Sequence, residues 1–578
     1  MSFAKPTAGL ALALTGGVAL SALGESRKDV APRTDIELSQ AGYPTRGRKL
    51  AFVVGKRPAS SYAVVPSDGG VPVFSGRLSE PLADADSGDR VQRADFSAVE
   101  LPGTYVLDVR GVGRSFRFTI GDDVLARPLY LALRSFYGQR CGTTVDLGPD
   151  FPGYRHSACH REGAWHASSG KTGPRLSAKG WHDAGDYGRY VVNSGIATGT
   201  LLWAFEMFGD RLETLKLDIP ESGDGVPDVL DEARWNLEWM LSMQDEDGGV
   251  FHKQTSERFS GFVMPEDDAG VSYAIGTGRE PFKGTCATAD LAAVAAMGAR
   301  AFRPYDSTFA ETVLAAARKA WAWAVAHPDV VYRNPNGVAT GEYGDGDCRD
   351  EQLWAAAELW RTAGDEAAGR HFLGHERELR ARVKPDGPPS WANVAPLALW
   401  SYALASGGDA GVRQAIREAS LAAADAIVAR SAANGYRVSL TAADYVWGSN
   451  GVAANYGLQL LVANAMRPDP RYVETARDNL YYLLGRNTFS LSWLTRVGEN
   501  AFRHPHHRPS GADANSEPWP GLLAGGPNRR KQDEAMRKLP DGLPPARMYL
   551  DTQESYASNE NAINWNAALA FLLAGAGR

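Results

Sequence analysis

The apolar residues of this 578-residue chain change their period once, and that change limits the folds open to it. From Asp35 to Gly121, apolar and polar residues alternate in about seven short stretches, separated by turns such as "SDGG", "LPG" and "RGVG". Alternation with a period of two is typical of β-strands. Seven strands in so short a segment predict a small β-sandwich of the immunoglobulin type. We place this domain at residues 33–122.

Residues 123–578 have helical periodicity instead. In "PDVLDEARWNLEWMLSMQDEDGG", for example, Val229, Ala233, Leu237 and Met240 recur at helical spacing after Pro227, which favours a helix start. Twelve such stretches predict six helical hairpins, which suit an (α/α)6 barrel although periodicity alone does not establish closure. They begin near Pro128, Gly188, Asp228, Thr285, Ser307, Asp350, Asp365, Ala392, Gly411, Asn450, Arg471 and Ser558.

Three of the connecting loops are long. They run from Cys141 to Tyr187, from Asp245 to Gly284 and from Gly485 to Asn559. Loops above about 15 residues in a compact domain are usually functional, so we expect the site there.

Composition narrows the class of partner. The formal net charge is −7, which offers no electrostatic footprint for nucleic acid or an anionic membrane. The 15 tryptophans and 21 tyrosines suit either helical cores or a surface on which sugar rings stack. Core packing is the more common explanation for any single ring, so composition leaves both open. We expect a monomer that binds neither nucleic acid nor a membrane.

The first residues predict export. One lysine precedes an apolar run from Ala8 to Leu23, and Ala22 to Gly24 match a small-x-small cleavage pattern. We expect a signal peptide over residues 1–24 and a secreted or periplasmic protein. The alternative is an apolar N-terminal tail that is not removed.

Four residues of the first long loop have the spacing of a metal site. Cys141, Cys159, His160 and His182 form C-x17-C-H-x21-H, and two thiolates with two imidazoles suit tetrahedral zinc. A disulfide between Cys141 and Cys159 is the alternative in an exported protein. The spacing favours a structural zinc. Cys286 and Cys348 have no such partners nearby and are predicted to be free thiols.

An acidic cluster begins one of the predicted helices. "GDGDCRDEQLW" contains Asp345, Asp347, Asp350 and Glu351. Acidic residues at a helix start interact favourably with the helix dipole, and dense carboxylates also suit calcium. Both interpretations stay open from the spacing.

Three further carboxylates lie in or beside the long loops. Asp183 and Asp186 in "GWHDAGDYG" could cap a helix, or could hold and deprotonate a water. Glu560 lies where the last helix is predicted to begin, so it could simply complement the helix dipole. "HPHHRPS" adds donors in a proline-rich loop that we do not expect to be helical: His504, His506, His507 and Arg508. This inventory suits a glycosidase or a carbohydrate-binding protein without chemistry.

Several segments resemble glycoside hydrolase family nine. They are "GWHDAGDYGRYVVNSG" (180–195), "YVWGSNGVAANYGLQLL" (445–461), "HPHHRPS" (504–510), "EPWPGLLAGGPN" (517–528) and "SYASNENAINWNAALAFLL" (555–573). The resemblance spans residues 125–578, and the sandwich resembles the immunoglobulin-like domain of one branch. It implies an (α/α)6 barrel and inverting hydrolysis of β-1,4 bonds in cellulose, soluble β-glucan or cellodextrins.

The resemblance also implies residue roles. Asp186 matches the general base, Asp183 the aspartate that helps to hold the water, and Glu560 the general acid. His506 and Arg508 match sugar-binding positions, and four aromatic residues match the cleft: Tyr556, Trp565, Trp447 and Trp391. Zinc-binding members of that branch use the positions of Cys141, Cys159, His160 and His182. Some members bind calcium near Asp347, Asp350 and Glu351.

The chain departs from the family beside these motifs. Arg496, Glu499 and Arg503 change the polarity near the histidine loop, and Asn561 replaces an apolar residue next to Glu560. Substrate preference is therefore open between an endo-β-1,4-glucanase and an exo-acting β-glycosidase, such as a glucosaminidase acting on chitosan oligomers.

Overall fold

The structure is a computed structural model that describes residues 31–577, so the predicted signal peptide lies outside the described residues. The described chain begins with a β-sandwich. Its strands are β1 (Ile36–Glu37), β2 (Leu50–Val54), β3 (Ser61–Pro66), β4 (Phe74–Arg77), β5 (Leu82–Ala83), β6 (Arg90–Asp95), β7 (Gly103–Val109), β8 (Gly113–Arg114) and β9 (Phe118–Ile120).

The strands form two antiparallel sheets whose inner faces are apolar. One sheet has the order β1-β2-β6-β5, and the other has the order β4-β3-β7-β8 with β9 also paired to β7. Ala51, Val64 and Leu107 are fully buried between them. Seven strands coincide with the predicted stretches. The other two, β5 and β8, are two residues long, which is too short for alternation to be visible.

Twelve long helices follow, and all twelve were predicted. They are α1 (Ala126–Gly138), α2 (Val191–Leu212), α3 (Asp228–Ser242), α4 (Thr285–Phe302), α5 (Ser307–Ala326), α6 (Arg349–Ala363), α7 (Glu366–Leu379), α8 (Ala395–Leu404), α9 (Ala410–Ala433), α10 (Ser449–Met466), α11 (Pro470–Leu483) and α12 (Ile563–Ala576).

The even-numbered helices form an inner ring. Along the ring α2 packs on α4, α4 on α6 and α6 on α8; α10 packs on α12, and α12 packs back on α2. Helix α9 contacts both α8 and α10 and so bridges the remaining step. Outer helices bury one face only: α9 buries Ile416, Ser420, Ala423 and Ile427, as expected for an amphipathic helix. The predicted (α/α)6 architecture is confirmed.

Four of the outer helices have an aspartate as their N-cap residue. The carboxylates of Asp306, Asp365, Asp409 and Asp469 accept hydrogen bonds from backbone N–H groups in the first turns of α5, α7, α9 and α11. An N-cap of this kind satisfies donors that the helix itself leaves unpaired, and its loss typically costs about 1 kcal/mol.

The first two long loops combine into one sheet. Its strands are β12 (Glu162–Trp165), β13 (Pro174–Leu176), β14 (Arg189–Tyr190), β15 (Lys253–Thr255) and β16 (Ser272–Ile275), in the order β13-β12-β16-β15-β14; β10 (Val145–Asp146) and β11 (Arg155–His156) pair separately. Short helical turns occupy Ala167–Ser169, Pro265–Asp267, Arg380–Arg382, Arg508–Ala512, Glu534–Arg537, Pro545–Arg547 and Tyr556–Asn559.

The sandwich is fixed to the barrel by buried polar contacts. Asp478 of α11 forms ion pairs with Arg48 of the sandwich and with Arg437 and Arg486 of the barrel. Gln40 donates to Ser490 O at 2.8 Å and accepts from Asn500 N at 2.8 Å. Separating the domains would leave Gln40 without these partners, which has a cost in stability, whereas Asp478 would keep Arg437 and Arg486.

The cysteine assignment needs one correction. Cys286 of α4 and Cys348, which precedes α6, form a disulfide, so the prediction that both are free thiols is wrong. Cys141 and Cys159 are the free, buried pair. The sequence could not show this because the two partners are 62 residues apart and meet only when α4 packs on α6. None of the described helices has both the length and the apolarity to cross a membrane.

Candidate active site

The turn "GWHDAGDYG" packs so closely that its glycines have no room for a side chain. A Cβ on Gly185 would lie 1.8 Å from the carbonyl oxygen of His506, and one on Gly188 would lie 2.6 Å from Asp186 Oδ2. Asp183 N donates to Gly188 O at 2.9 Å. Helix α2 begins only at Val191, after Tyr190 as N-cap. Asp183 and Asp186 therefore cap no helix.

Asp186 is held through one carboxylate oxygen. Gly188 N and Tyr190 Oη donate to its Oδ2 at 2.9 and 3.0 Å. Among the described residues no donor reaches Oδ1. This oxygen is therefore left to accept a proton from a bound water, as a general base requires.

Asp183 is held through both oxygens. Asn193 Nδ2 donates to Oδ1 at 2.7 Å, and Tyr343 Oη donates to Oδ2 at 2.6 Å. Burial and the charge of Asp186 raise the pKa of Asp183 to about 7, although both hydrogen bonds act in the opposite direction. Asp183 is thus oriented by its neighbours and lies next to a second carboxylate.

Glu560 comes from a distant part of the chain. It follows the short helix Tyr556–Asn559 in extended conformation and precedes α12, so it is not in the first turn of a helix. Burial, with the charges of Asp186 and Asp183, raises the pKa of Glu560 well above its ordinary value. A raised pKa favours the protonated form, which is the form that can donate a proton.

The histidine loop joins these segments. His506 pairs with Glu560 as a parallel bridge, and its N–H donates to Asn559 O at 3.0 Å. Its Nδ1 lies 2.6 Å from Gln553 O, which assigns the proton to Nδ1. Burial lowers the pKa of His506. A neutral ring with a free Nε2 can accept a hydrogen bond from a sugar hydroxyl.

Arg508 and His507 mainly hold the backbone. Arg508 donates to Gly185 O at 2.7 Å and through Nε and Nη2 to Ser260 O, so it ties three loops together. His507 is buried against Gln139 and caps the helix Arg508–Ala512. The prediction that this proline-rich loop is not helical is wrong for those five residues, because Pro509 lies in the first turn, where no N–H is needed.

All nine predicted catalytic and sugar-binding residues line one cleft of about 700 Å³. They are Asp183, Asp186, Glu560, His506, Arg508, Tyr556, Trp565, Trp447 and Trp391. Trp447 and Tyr556 are 38% and 37% exposed, with ring centroids 5.4 Å apart, so both rings offer free faces at the rim. Trp391 lies edge-on to Tyr343 at 5.2 Å. Exposed rings beside buried carboxylates suit a stacked sugar chain.

Sequence reasoning missed several residues of the cleft, above all Tyr343. It lies between β-rich loops and α6 at a positive φ of 44°, an uncommon conformation for tyrosine. Buried Lys253 supports its segment by donating to Thr340 Oγ1 and Gly341 O at 3.1 and 2.8 Å. Tyr190 and Phe259 also line the cleft. No periodicity or spacing marks Tyr343, because its hydrogen bond is with another loop, whereas Tyr190 bonds to Asp186 within its own motif.

The charged residues that differ from the family pattern point away from the cleft. Arg503 pairs with Glu517, Glu499 with Arg117, and Arg496 lies near Tyr154. None of the three lines the cleft. Asn561 is buried near Ala184 O at 3.5 Å, beside the catalytic turn. These substitutions therefore place no extra charge against the sugar.

The four predicted zinc ligands converge. One ligand atom from each of Cys141, Cys159, His160 and His182 lies within 4.8 Å of the others. His160 Nε2 bonds to Asp268 at 3.0 Å, while its buried Nδ1 has no partner. A carboxylate that accepts a hydrogen bond from a histidine ligand, and so fixes its ring, is usual in zinc sites. The donor set and the orphaned nitrogen fit zinc.

The acidic cluster differs from the predicted one. Asp347 forms ion pairs with Arg349 and Arg382. Instead, other carboxylates gather around the start of α6: Asp290, Asp350 and Glu351, which are buried, and Asp345, which is half-buried. Both oxygens of Asp290 and of Glu351 lack a hydrogen-bond partner. Burial and mutual repulsion raise their pKa values.

We expect Tyr343→Phe to lower kcat by about 10- to 100-fold, because a hydrogen bond to a charged group contributes about 1.5–3 kcal/mol. Removing the donor also raises the pKa of Asp183, since Tyr343 now stabilises the ionised form. The acidic limb of the pH–rate profile should therefore move to higher pH. Tyr482→Phe, a buried change in α11, is the control. An unmoved limb would contradict the role of Tyr343.

The fold and the cleft together define a class. A buried acid with a raised pKa, a pair of aspartates on another loop and exposed aromatic rings define a carbohydrate-cleaving hydrolase with two carboxyl functions.

The comparisons name the family. Residues 126–573 match glycosyl hydrolase family 9 and residues 31–114 match the cellulase N-terminal ig-like domain. The chain belongs to glycosyl hydrolase family 9, an inverting family, and its activity is β-1,4-glucan hydrolysis of the endoglucanase or cellodextrinase type.

Relatives of known activity extend over nearly the whole chain. Endoglucanase D of Acetivibrio thermocellus is 38% identical over 98% of this chain and 84% of its own. A cellodextrinase of Butyrivibrio fibrisolvens is 33% identical over 93% and 98%. The crystal structure of a Zn-binding triple mutant of the family 9 endoglucanase J30 superimposes with a TM-score of 0.85, at 34% identity, over 93% of this chain and 99% of that one.

Proposed function

We propose that the protein is an endo-acting β-1,4-glucanase that cleaves soluble glucan chains laid across the cleft. The observation that supports this proposal is that aromatic rings lie beside both carboxyl sites, near Asp183 and near Glu560. Trp391 packs against Tyr343, which donates a hydrogen bond to Asp183. On the side of the acid, Trp447 contacts Tyr556, and Tyr556 packs against His506 beside Glu560. Rings on both sides of the reacting bond bind a chain internally rather than by its end.

We assign the chemistry to three residues. Glu560 donates its proton to the leaving glycosidic oxygen as the bond breaks. Asp186 takes a proton from water through its free Oδ1, and the resulting hydroxide attacks the anomeric carbon from the opposite face, with inversion. Asp183, fixed by Asn193 and Tyr343, orients that water. His506 and Arg508 position the sugar beside the bond.

The endo assignment is tested by viscosity. We expect the viscosity of mixed-linkage β-glucan to fall while only a few per cent of the reducing ends have appeared, because internal cleavage shortens chains early. A panel that includes neutral cello-oligosaccharides, xylan and chitosan oligomers serves as comparison. Accumulation of monomer at constant viscosity would contradict endo action.

We also propose two structural metals. Zinc binds to Cys141, Cys159, His160 and His182, supported by their convergence and the unpaired His160 Nδ1. A calcium ion at this acidic cluster is supported by the unpaired buried oxygens of Asp290 and Glu351, whereas Asp350 pairs with Arg382 and accepts from Val394 N. Asp347 is not among the proposed ligands, because two arginines already neutralise it.

We propose a secreted or periplasmic location for the protein. The apolar N-terminal run supports export, and the Cys286–Cys348 disulfide suits an oxidising compartment. Activity and antigen assayed in separated culture medium, periplasm and cytoplasm test the proposal; recovery in the cytoplasm alone, uncleaved, would contradict it.

A further inference from the structure

A second hollow lies beside the cleft and is lined by two cationic side chains. It is an open surface depression of about 450 Å³, lined by Ala442, Arg529, Arg530, Leu543, Pro545 and Met548. Arg529 and Arg530 are exposed. Within residues 31–577, neither guanidinium has a carboxylate within 4 Å or a hydrogen-bond acceptor. They are unlike nearby Lys531, which pairs with Asp541, and Arg547, which pairs with Asp89.

The backbone that carries the two arginines is fixed and adjoins the cleft. Arg529 N donates to Tyr445 O at 2.9 Å, two residues before Trp447. Tyr556 Oη donates to Gln532 O at 3.3 Å. Between them, fully buried Asn528 donates to Ala557 O at 2.9 Å. The segment 528–532 therefore connects the hollow to the rim formed by Trp447 and Tyr556.

The chemistry of the hollow suits an anionic sugar. The protein carries a net charge of −7, and its cleft is lined by four acidic residues: Asp183, Asp186, Glu342 and Glu560. Two unpaired guanidinium groups near such a cleft supply positive charge. Guanidinium groups match planar carboxylates in bidentate geometry. Leu543, Pro545 and Met548 supply apolar surface for the C–H face of a sugar ring.

We propose that this hollow extends the substrate cleft beyond Trp447 and binds a β-1,4-glucan segment that carries carboxylates, such as uronic acid units. The proposal rests on the proposed function, since the segment is part of the chain being cleaved. It also implies that a cationic chitosan oligomer is disfavoured in the same position, because its ammonium groups would meet Arg529 and Arg530.

The test compares two substrates on one variant. Arg529→Gln/Arg530→Gln and the wild-type enzyme are assayed on cellohexaose and on cellohexaose oxidised to the carboxylate at C6, at low ionic strength. We expect the double variant to lose about tenfold or more in kcat/KM on the carboxylated oligosaccharide, by losing charge-assisted hydrogen bonds. On cellohexaose it should stay within about twofold, because neutral sugar offers no carboxylate to pair. The wild-type preference should shrink at 0.3 M salt.

Arg537→Gln/Lys538→Gln is the matched control, since it removes two exposed charges that follow the segment 528–532 in the chain and lie outside the hollow. It should leave the ratio of the two kcat/KM values unchanged. If Arg529→Gln/Arg530→Gln also leaves this ratio unchanged, the anionic subsite is wrong. If the wild-type enzyme cleaves neither oligosaccharide, the proposed function fails instead. Isothermal titration of the carboxylated oligosaccharide with both double variants checks binding apart from turnover.

Discussion

Glu560→Gln is expected to lower kcat on soluble β-1,4-glucan by about 10²- to 10⁴-fold, because an amide has no proton to give to the leaving oxygen. The loss should be much smaller on 2,4-dinitrophenyl β-cellobioside, whose leaving group departs without protonation. The alkaline limb of the pH–rate profile reports ionisation of the acid, so it should disappear in this variant. Steady-state kinetics on both substrates from pH 4 to 9 provide the measurement.

The same variant should not lose stability at neutral pH. Burial and the nearby aspartates raise the pKa of Glu560 in the folded protein. The carboxyl group therefore ionises at lower pH in the unfolded chain than in the folded protein. As a result, the folded protein loses stability as the pH rises from the unfolded pKa towards the folded pKa. Glutamine removes that cost, so the Tm at pH 7 should be unchanged or higher. Glu342→Gln, at another glutamate of the cleft, is the control and should keep the alkaline limb. Wild-type activity of Glu560→Gln on glucan would refute the acid assignment.

Cys141→Ser/Cys159→Ser is expected to abolish zinc binding and to lower both stability and kcat. A metal bound 1,000-fold above its Kd stabilises the fold by about 4 kcal/mol, so Tm should fall by roughly 5 °C or more. Activity should fall as well, because ligand His182 directly precedes Asp183, and Asp183 O accepts from Ile563 N at the start of α12. A displaced His182 would therefore move the aspartate that orients the water.

Metal analysis of the purified chain measures this directly and reports calcium in the same sample; we expect one zinc per chain. Cys286→Ser/Cys348→Ser is the matched control, since it removes the other two cysteines and should leave the zinc content unchanged. A purified protein without zinc and with Cys141 joined to Cys159 would contradict the metal site. Full kcat in zinc-free protein would limit the metal to a role remote from catalysis.

Much of the site was predictable because its residues occur in compact motifs. Asp183 and Asp186 share one turn with His182, and His506 and Arg508 share another. The resemblance of these motifs to one family indicated the distant Glu560, which spacing could not have paired with Asp186. Tyr343 was not predicted, because the hydrogen bond that defines its role reaches Asp183 across 160 residues.

Periodicity by itself determined the two domains and the twelve helices, because the solvent-facing pattern of an element depends on residues a few positions apart. The tertiary structure alone decided which distant groups meet. It paired Cys286 with Cys348, neutralised Asp347 with Arg382, and left Arg529 and Arg530 unpaired beside the cleft. These outcomes depend on helix packing and loop contacts between segments far apart in the chain. The spacing of neighbouring residues does not predict such contacts.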